Sequence, residues 1–152
     1  MTADAALFAP PPLGDGTRTY QTPRRVVSGP RAAAQTGALA ASFGDSVLLV
    51  TYPPGRTTAA GGPGRVEESL IAAGLRVTCH EISADPDTAA ADDATAACRS
   101  AGATVVVGVG GGGPLDAAKA VAMLAANPGT AEDYQMGRPV EADPLPFVAV
   151  PT

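Results

Sequence analysis

Residues 105–120 constrain this chain more than any other stretch. Val105-Val106-Val107-Gly108-Val109 is an apolar, mostly β-branched run without polar alternation, the pattern of a parallel strand covered on both faces. Gly110, Gly111, Gly112 and Gly113 follow and strip every Cβ from the turn. Pro114 fits the first helical position, where no amide donor is needed. Apolar residues then recur at helical spacing at Leu115, Ala118, Val121, Ala122 and Ala125. The stretch reads as strand, glycine turn and helix. Such a turn presents free N–H groups and the positive end of the helix dipole, which makes it a candidate phosphate site.

The spacing alone admits a second explanation. Gly108, Gly110 and Gly113 satisfy G-x-G-x-x-G, but several strand-like segments precede them. A dinucleotide fingerprint normally follows the first strand and has an acidic residue about 20 positions on. The acids nearest that position, Glu132 and Asp133, fall in a predicted loop. A P-loop is excluded: the G-K-[ST] ending is absent and Lys119 lies too deep in the helix. Tight packing of strand on helix would also select glycines here.

The flanking sequence alternates between strand and helix. Residues 1–23 are Pro-, Gly- and Ala-rich without period and read as a flexible N-terminal arm. Residues 24–30 suggest a short strand and turn, 31–43 a helix, and 46–51 a strand. A helix over 65–73 would bury Val66, Leu70 and Ile71 and stop at Gly74. A strand over 76–82 follows. Asp85-Pro86-Asp87-Thr88 is a turn and helix cap, and the helix after it would bury Ala90, Ala94, Ala97 and Cys98. Asp92 and Asp93 fall on its solvated side. Asn127-Pro128-Gly129 ends the helix after the glycine turn, and a loop leads to a last strand at 147–150. This order predicts an α/β fold: an open, mainly parallel Rossmann-like sheet flanked by helices, with ligand at the carboxyl ends of the strands.

Composition narrows the function. The net charge is −5 with no basic stripe, which argues against nucleic acid as partner. Neither a membrane span nor a signal peptide is predicted, so the expected location is cytoplasmic. Cys79 and Cys98 have no C-x-x-C relation and read as two reduced, buried thiols. His80, the one histidine, cannot make a metal site without companions.

Gly110-Gly111-Gly112-Gly113-Pro114-Leu115-Asp116-x-x-Lys119 resembles the G-G-G-S-P-x-D-x-x-K signature of the iron-containing alcohol dehydrogenase family, which includes glycerol dehydrogenases and maleylacetate reductases. Glu132-Asp133-Tyr134 and Pro146-Phe147-Val148-Ala149-Val150-Pro151-Thr152 also look like family segments. The resemblance covers residues 24–152. It implies that Gly110, Gly111, Gly112 and Gly113 hold the pyrophosphate of NAD or NADP, with Asp116, Lys119 and Thr152 bordering the cleft. Gly113 departs from the usual Ser, losing a hydroxyl but keeping the backbone cradle. Tyr52 stands where many members carry an Asp that binds the adenosine ribose. Without that carboxylate the site is expected to admit NADP, with Arg56 as a phosphate partner or else as a plain solvated loop residue.

The resemblance also implies what this chain lacks. In the family, a helical domain follows and supplies an Asp and three His ligands for Fe or Zn; those ligands are not in this chain. Residues 24–152 are thus expected to be an NAD(P)-binding domain cut at the interdomain boundary and inactive alone. Three readings follow. One is the dinucleotide-binding half of a metal-dependent dehydrogenase acting on a small alcohol or aldehyde, or of a maleylacetate reductase-like enzyme. The second is a subunit that docks with a separate helical half or forms a homo-oligomer. The third is a non-catalytic nucleotide-binding remnant.

Overall fold

The structure is a computed structural model that describes residues 23–55, 62–82 and 86–152. Most of the expected arm, Arg56 and Asp85 lie outside the described residues. The sheet has four strands, β1 (Ser46–Thr51), β2 (Arg76–Glu81), β3 (Val105–Gly110) and β4 (Phe147–Pro151), in the spatial order β2-β1-β3-β4. All neighbours pair in parallel. Every residue of β1 and β3 is buried, as their unbroken apolar runs require of central strands. β2 and β4 expose part of their length and form the edges.

Strand alternation divides the core into two layers. On one face Val47, Leu49, Val105, Val107 and Val109 meet Ala40, Val66 and Leu70 from α1 (Thr36–Ala41) and α2 (Pro63–Ala72). On the other, Leu48, Val50 and Val106 meet Ala94, Cys98, Ala118 and Val121 from α3 (Thr88–Ser100) and α4 (Gly112–Ala126). Small side chains on α3 and α4 let both helices lie close to the sheet. α2 ends as its sequence predicts. Gly74 takes φ +80, its amide donates to Ile71 O, and the Leu75 amide donates to Leu70 O, a helix stop that glycine favours.

Several expectations are corrected. Residues 24–30 join no ladder with the sheet, and Val26 is 76% exposed; two valines without a partner strand do not make one. The helix over 31–43 divides into a 3-10 turn, Ala32–Gln35, and α1. Ile71 points to solvent, while Val66 and Leu70 carry the α2 contact. On α3 the buried set is Ala91, Ala94, Thr95 and Cys98, a rotation set by the packing of Ala94 and Cys98 on the sheet, while the Asp87 side chain caps the helix at Ala90 N (2.8 Å). That rotation brings Asp92 inward, where its carboxylate accepts from Ala131 N at 2.8 Å. Ala131 opens α5 (Ala131–Gln135), a short helix inside the predicted loop, closed by a reciprocal cap between Thr130 and Asp133. The Thr130 amide holds the Asp133 carboxyl below its ordinary range. Cys98 is buried, but Cys79 is exposed on the edge strand.

Candidate functional site

The strand order reverses at β1. The chain leaves β1 for β2 on one side and returns through α3 to β3 on the other. In open parallel sheets this switch point is where the loops diverge and a ligand fits at the carboxyl ends. Thr51 pairs with Val109, and Gly110 pairs with Pro151, so Tyr52, the glycine turn and Thr152 come together at one end of the sheet. The Thr152 amide donates to Gly110 O at 3.2 Å.

The glycines have different reasons to be there, and Gly113 is buried as the second residue of α4 (Gly112–Ala126). Gly110 takes φ +140, which L side chains rarely adopt, and a Cβ on it would stand 3.0 Å from Pro114 Cγ and 3.3 Å from Tyr52 Cδ2. The turn itself requires it. Gly111 is the N-cap of α4 in ordinary extended backbone, φ −82 and ψ −158. Among the described residues a Cβ there would meet one atom within 4 Å, the Tyr52 hydroxyl at 4.0 Å. A Cβ at Gly112 would meet Asp116 Oδ2 at 3.9 Å. Backbone and neighbours would therefore accept side chains at Gly111 and Gly112. Packing explains Gly110 and leaves those two unexplained; an open space over a helix start explains them.

α4 begins at Gly112, two residues earlier than Pro114 predicts. Pro114 thus occupies the third helical position, still among those whose amides have no intrahelical acceptor. The earlier start leaves glycines at N-cap, N1 and N2, of which Gly112 is exposed and Gly113 buried, and the first turn of α4 carries no acidic side chain. Asp116 and Lys119 form an exposed pair, Nζ to Oδ1 3.1 Å. Asp116 reaches back to the rim at Gly112, whereas Lys119 is tied to Asp116.

Two features escaped the sequence. Tyr52 lies against the glycine turn, a contact made by the pairing of β1 with β3. Thr51, 6% exposed, buries Oγ1 without a hydrogen-bond partner. Alternation points it into the α1–α2 layer, away from Tyr52. Replacing a partnerless hydroxyl with a methyl removes its desolvation cost. Thr51→Val is therefore expected to stabilise the fold by about 1 kcal/mol, read as a higher melting temperature.

Other polar groups belong to the scaffold. The Asn127 side chain donates to Met123 O and Ala142 O and accepts from the Glu141 and Ala142 amides, pinning the loop before β4. Arg99 donates to Leu124 O and Asn127 O at the end of α4. The Cys79 thiol is pushed up to about 11 by partial desolvation against the sheet edge and by the Glu67 carboxylate, a poor nucleophile at neutral pH. His80 Nε2 faces Asp93 at 3.7 Å. No cluster of three or more His, Cys, Asp or Glu suited to a metal exists among the described residues, and no described helix is long and apolar enough to cross a membrane.

The architecture is thus a parallel α/β layer flanked by helices, with an open glycine turn at its switch point. The family model for iron-containing alcohol dehydrogenase matches residues 23–152. The chain belongs to that family. It is 29% identical to a choline dehydrogenase of Bacillus subtilis (strain 168) over 138 residues, 88% of this chain and 34% of that protein. The structure of a 1,3-propanediol oxidoreductase is 28% identical with a TM-score of 0.72, over 82% of this chain and 32% of that one. A sulfoacetaldehyde reductase from Bifidobacterium kashiwanohense, in complex with NAD+, shares the fold at 24% identity and TM-score 0.65, over 81% of this chain and 32% of that one. The chain thus spans about a third of the length of these relatives.

Proposed function

We propose that residues 24–152 are the dinucleotide-binding part of a metal-dependent alcohol dehydrogenase. The observation that carries this reading is the pair Gly111 and Gly112, glycines that the fold does not need, over the start of a 15-residue helix. The residues fit a dinucleotide: the amides of Gly111, Gly112 and Gly113 and the α4 dipole would hold its pyrophosphate. Tyr52, Asp116 and Thr152 would border it, and Lys119 would hold Asp116. When bound, the nicotinamide takes or gives the hydride exchanged with a small alcohol or aldehyde. An Fe or Zn polarising the substrate oxygen belongs to the rest of such an enzyme, for the described residues supply no ligand set. Free thiols at Cys79 and Cys98 suit a reducing cytoplasm. The apolar edge at β4 would meet a complementary helical domain or a second copy.

Tyr52 bears on the choice of nucleotide. Tyr52 itself carries no carboxylate to repel a 2′-phosphate, and Arg56 follows closely in sequence. The test is a fluorescence titration of the purified chain with NADH and with NADPH. Saturable binding, with NADPH binding at least as tightly as NADH, is the expected result. A folded chain that binds neither would overturn the reading.

Gly112→Ala separates fold from function. Alanine at a helical position is favoured over glycine by up to about 1 kcal/mol, and among the described residues the nearest side-chain atom to its methyl would be Asp116 Oδ2 at 3.9 Å. The melting temperature is expected to rise while dinucleotide affinity falls, since the methyl stands where the phosphate would.

A further inference from the structure

We infer that the Tyr52 hydroxyl is a hydrogen-bond donor to the pyrophosphate, completing with a side chain the cradle that the glycine amides begin. This deepens the proposed dinucleotide site and rests on it. Tyr52 is half-buried directly after β1. Its ring edge lies 3.3 Å from the Cβ position of Gly110, and its oxygen lies 4.0 Å from the Cβ position of Gly111. The side chain runs along the turn and places its hydroxyl beside the space left by the two glycines that packing does not explain.

Chemistry matches that placement. A phenol O–H donates readily to a phosphate oxygen, and a hydrogen bond to a charged group is stronger than one between neutral groups. The turn otherwise offers dipoles. Lys119, the nearest cation in sequence, spends its ammonium on Asp116 at 3.1 Å. The opposite rim carries the Asp116 carboxylate beside Gly112, which suits a hydroxyl of the ligand better than an anion. The donor side is therefore the Tyr52 side, and the diphosphate belongs there. The ring has its own role, since it walls the turn at Gly110, where only glycine fits.

Tyr52→Phe keeps the ring and removes the donor. Binding of NADH and NADPH is read by fluorescence, binding of ADP and of adenosine by calorimetry, and folding by thermal melting. The expected result is a loss of about tenfold or more for NADH, NADPH and ADP alike, with adenosine binding unchanged and a cooperative melt showing that the variant is folded. Equal affinities in the variant and the wild-type chain would overturn the assignment of Tyr52. A loss confined to NADPH would overturn it too, by placing the hydroxyl on the 2′-phosphate. If the wild-type chain binds none of the three phosphate-bearing compounds, the dinucleotide site itself is refuted and this inference falls with it.

Discussion

Gly111→Asp is expected to abolish dinucleotide binding while leaving the fold intact. Its backbone, φ −82 and ψ −158, is open to any residue, and among the described residues a Cβ there meets only the Tyr52 hydroxyl at 4.0 Å. Aspartate is also among the best N-cap residues, its carboxylate accepting from the free amides of the first turn. The melting temperature should hold or rise. Binding should fail for the same reason: the carboxylate takes the amides that would hold a phosphate and sets a negative charge against it. A loss of 100-fold or more, about 3 kcal/mol, is expected in NADH and NADPH titrations. Unchanged affinity in a folded variant would sink the phosphate-cradle assignment, because no packing change could then be blamed.

That pairing of intact fold and lost binding was only partly legible in the sequence. Residues 105–126 announce strand, turn and helix locally, through β-branched residues, glycines and helical periodicity, and the structure keeps all three. The reasons for the individual glycines are tertiary. Gly110 is fixed by its φ and by Pro114, whereas Gly111 and Gly112 are set apart only once the described residues are seen to leave room for a Cβ there. Tyr52 reaches the turn because β3 returns to pair with β1 across the switch point, and residues 52 and 110 share no local signal. Tertiary packing decided other details. Ala94 and Cys98 packed on the sheet set the rotation of α3 and so exchange Ala90 for Ala91 in the core, and that rotation brings Asp92 to the start of α5. Two valines at 26 and 27 looked like a strand by propensity, but strands are made by partners.

Gly108→Val tests how firmly the position of the turn depends on the packing beneath it. Gly108 lies in β3 between Val50 and Ala149, on the face toward α4. A Cβ there would stand 2.8 Å from Ala118 Cβ, 3.3 Å from Leu115 Cδ2 and 3.3 Å from Phe147 Cε2. The first distance is shorter than any real contact between two such atoms, and neither partner is flexible: one is strand and the other helix. Valine adds two further methyls to a place that cannot take one. The helix must back away from the sheet, and its N-terminal glycines must move with it. Overpacking of this kind costs about 3 kcal/mol, read as a shifted denaturant midpoint. Binding should fall further than the unfolded fraction explains, because a displaced α4 no longer aims its amides at the end of the sheet. The compensating pair decides whether the contact is the cause. Gly108→Ala alone should destabilise, and Ala118→Gly alone should weaken the helix, whereas the double variant removes the clash between the two methyls. A favourable coupling of about 1 kcal/mol or more, with affinity recovered, would show that Gly108 sets the height of α4 above the sheet. Simple additivity would show that the strand absorbs the methyl and that the turn is positioned by something else.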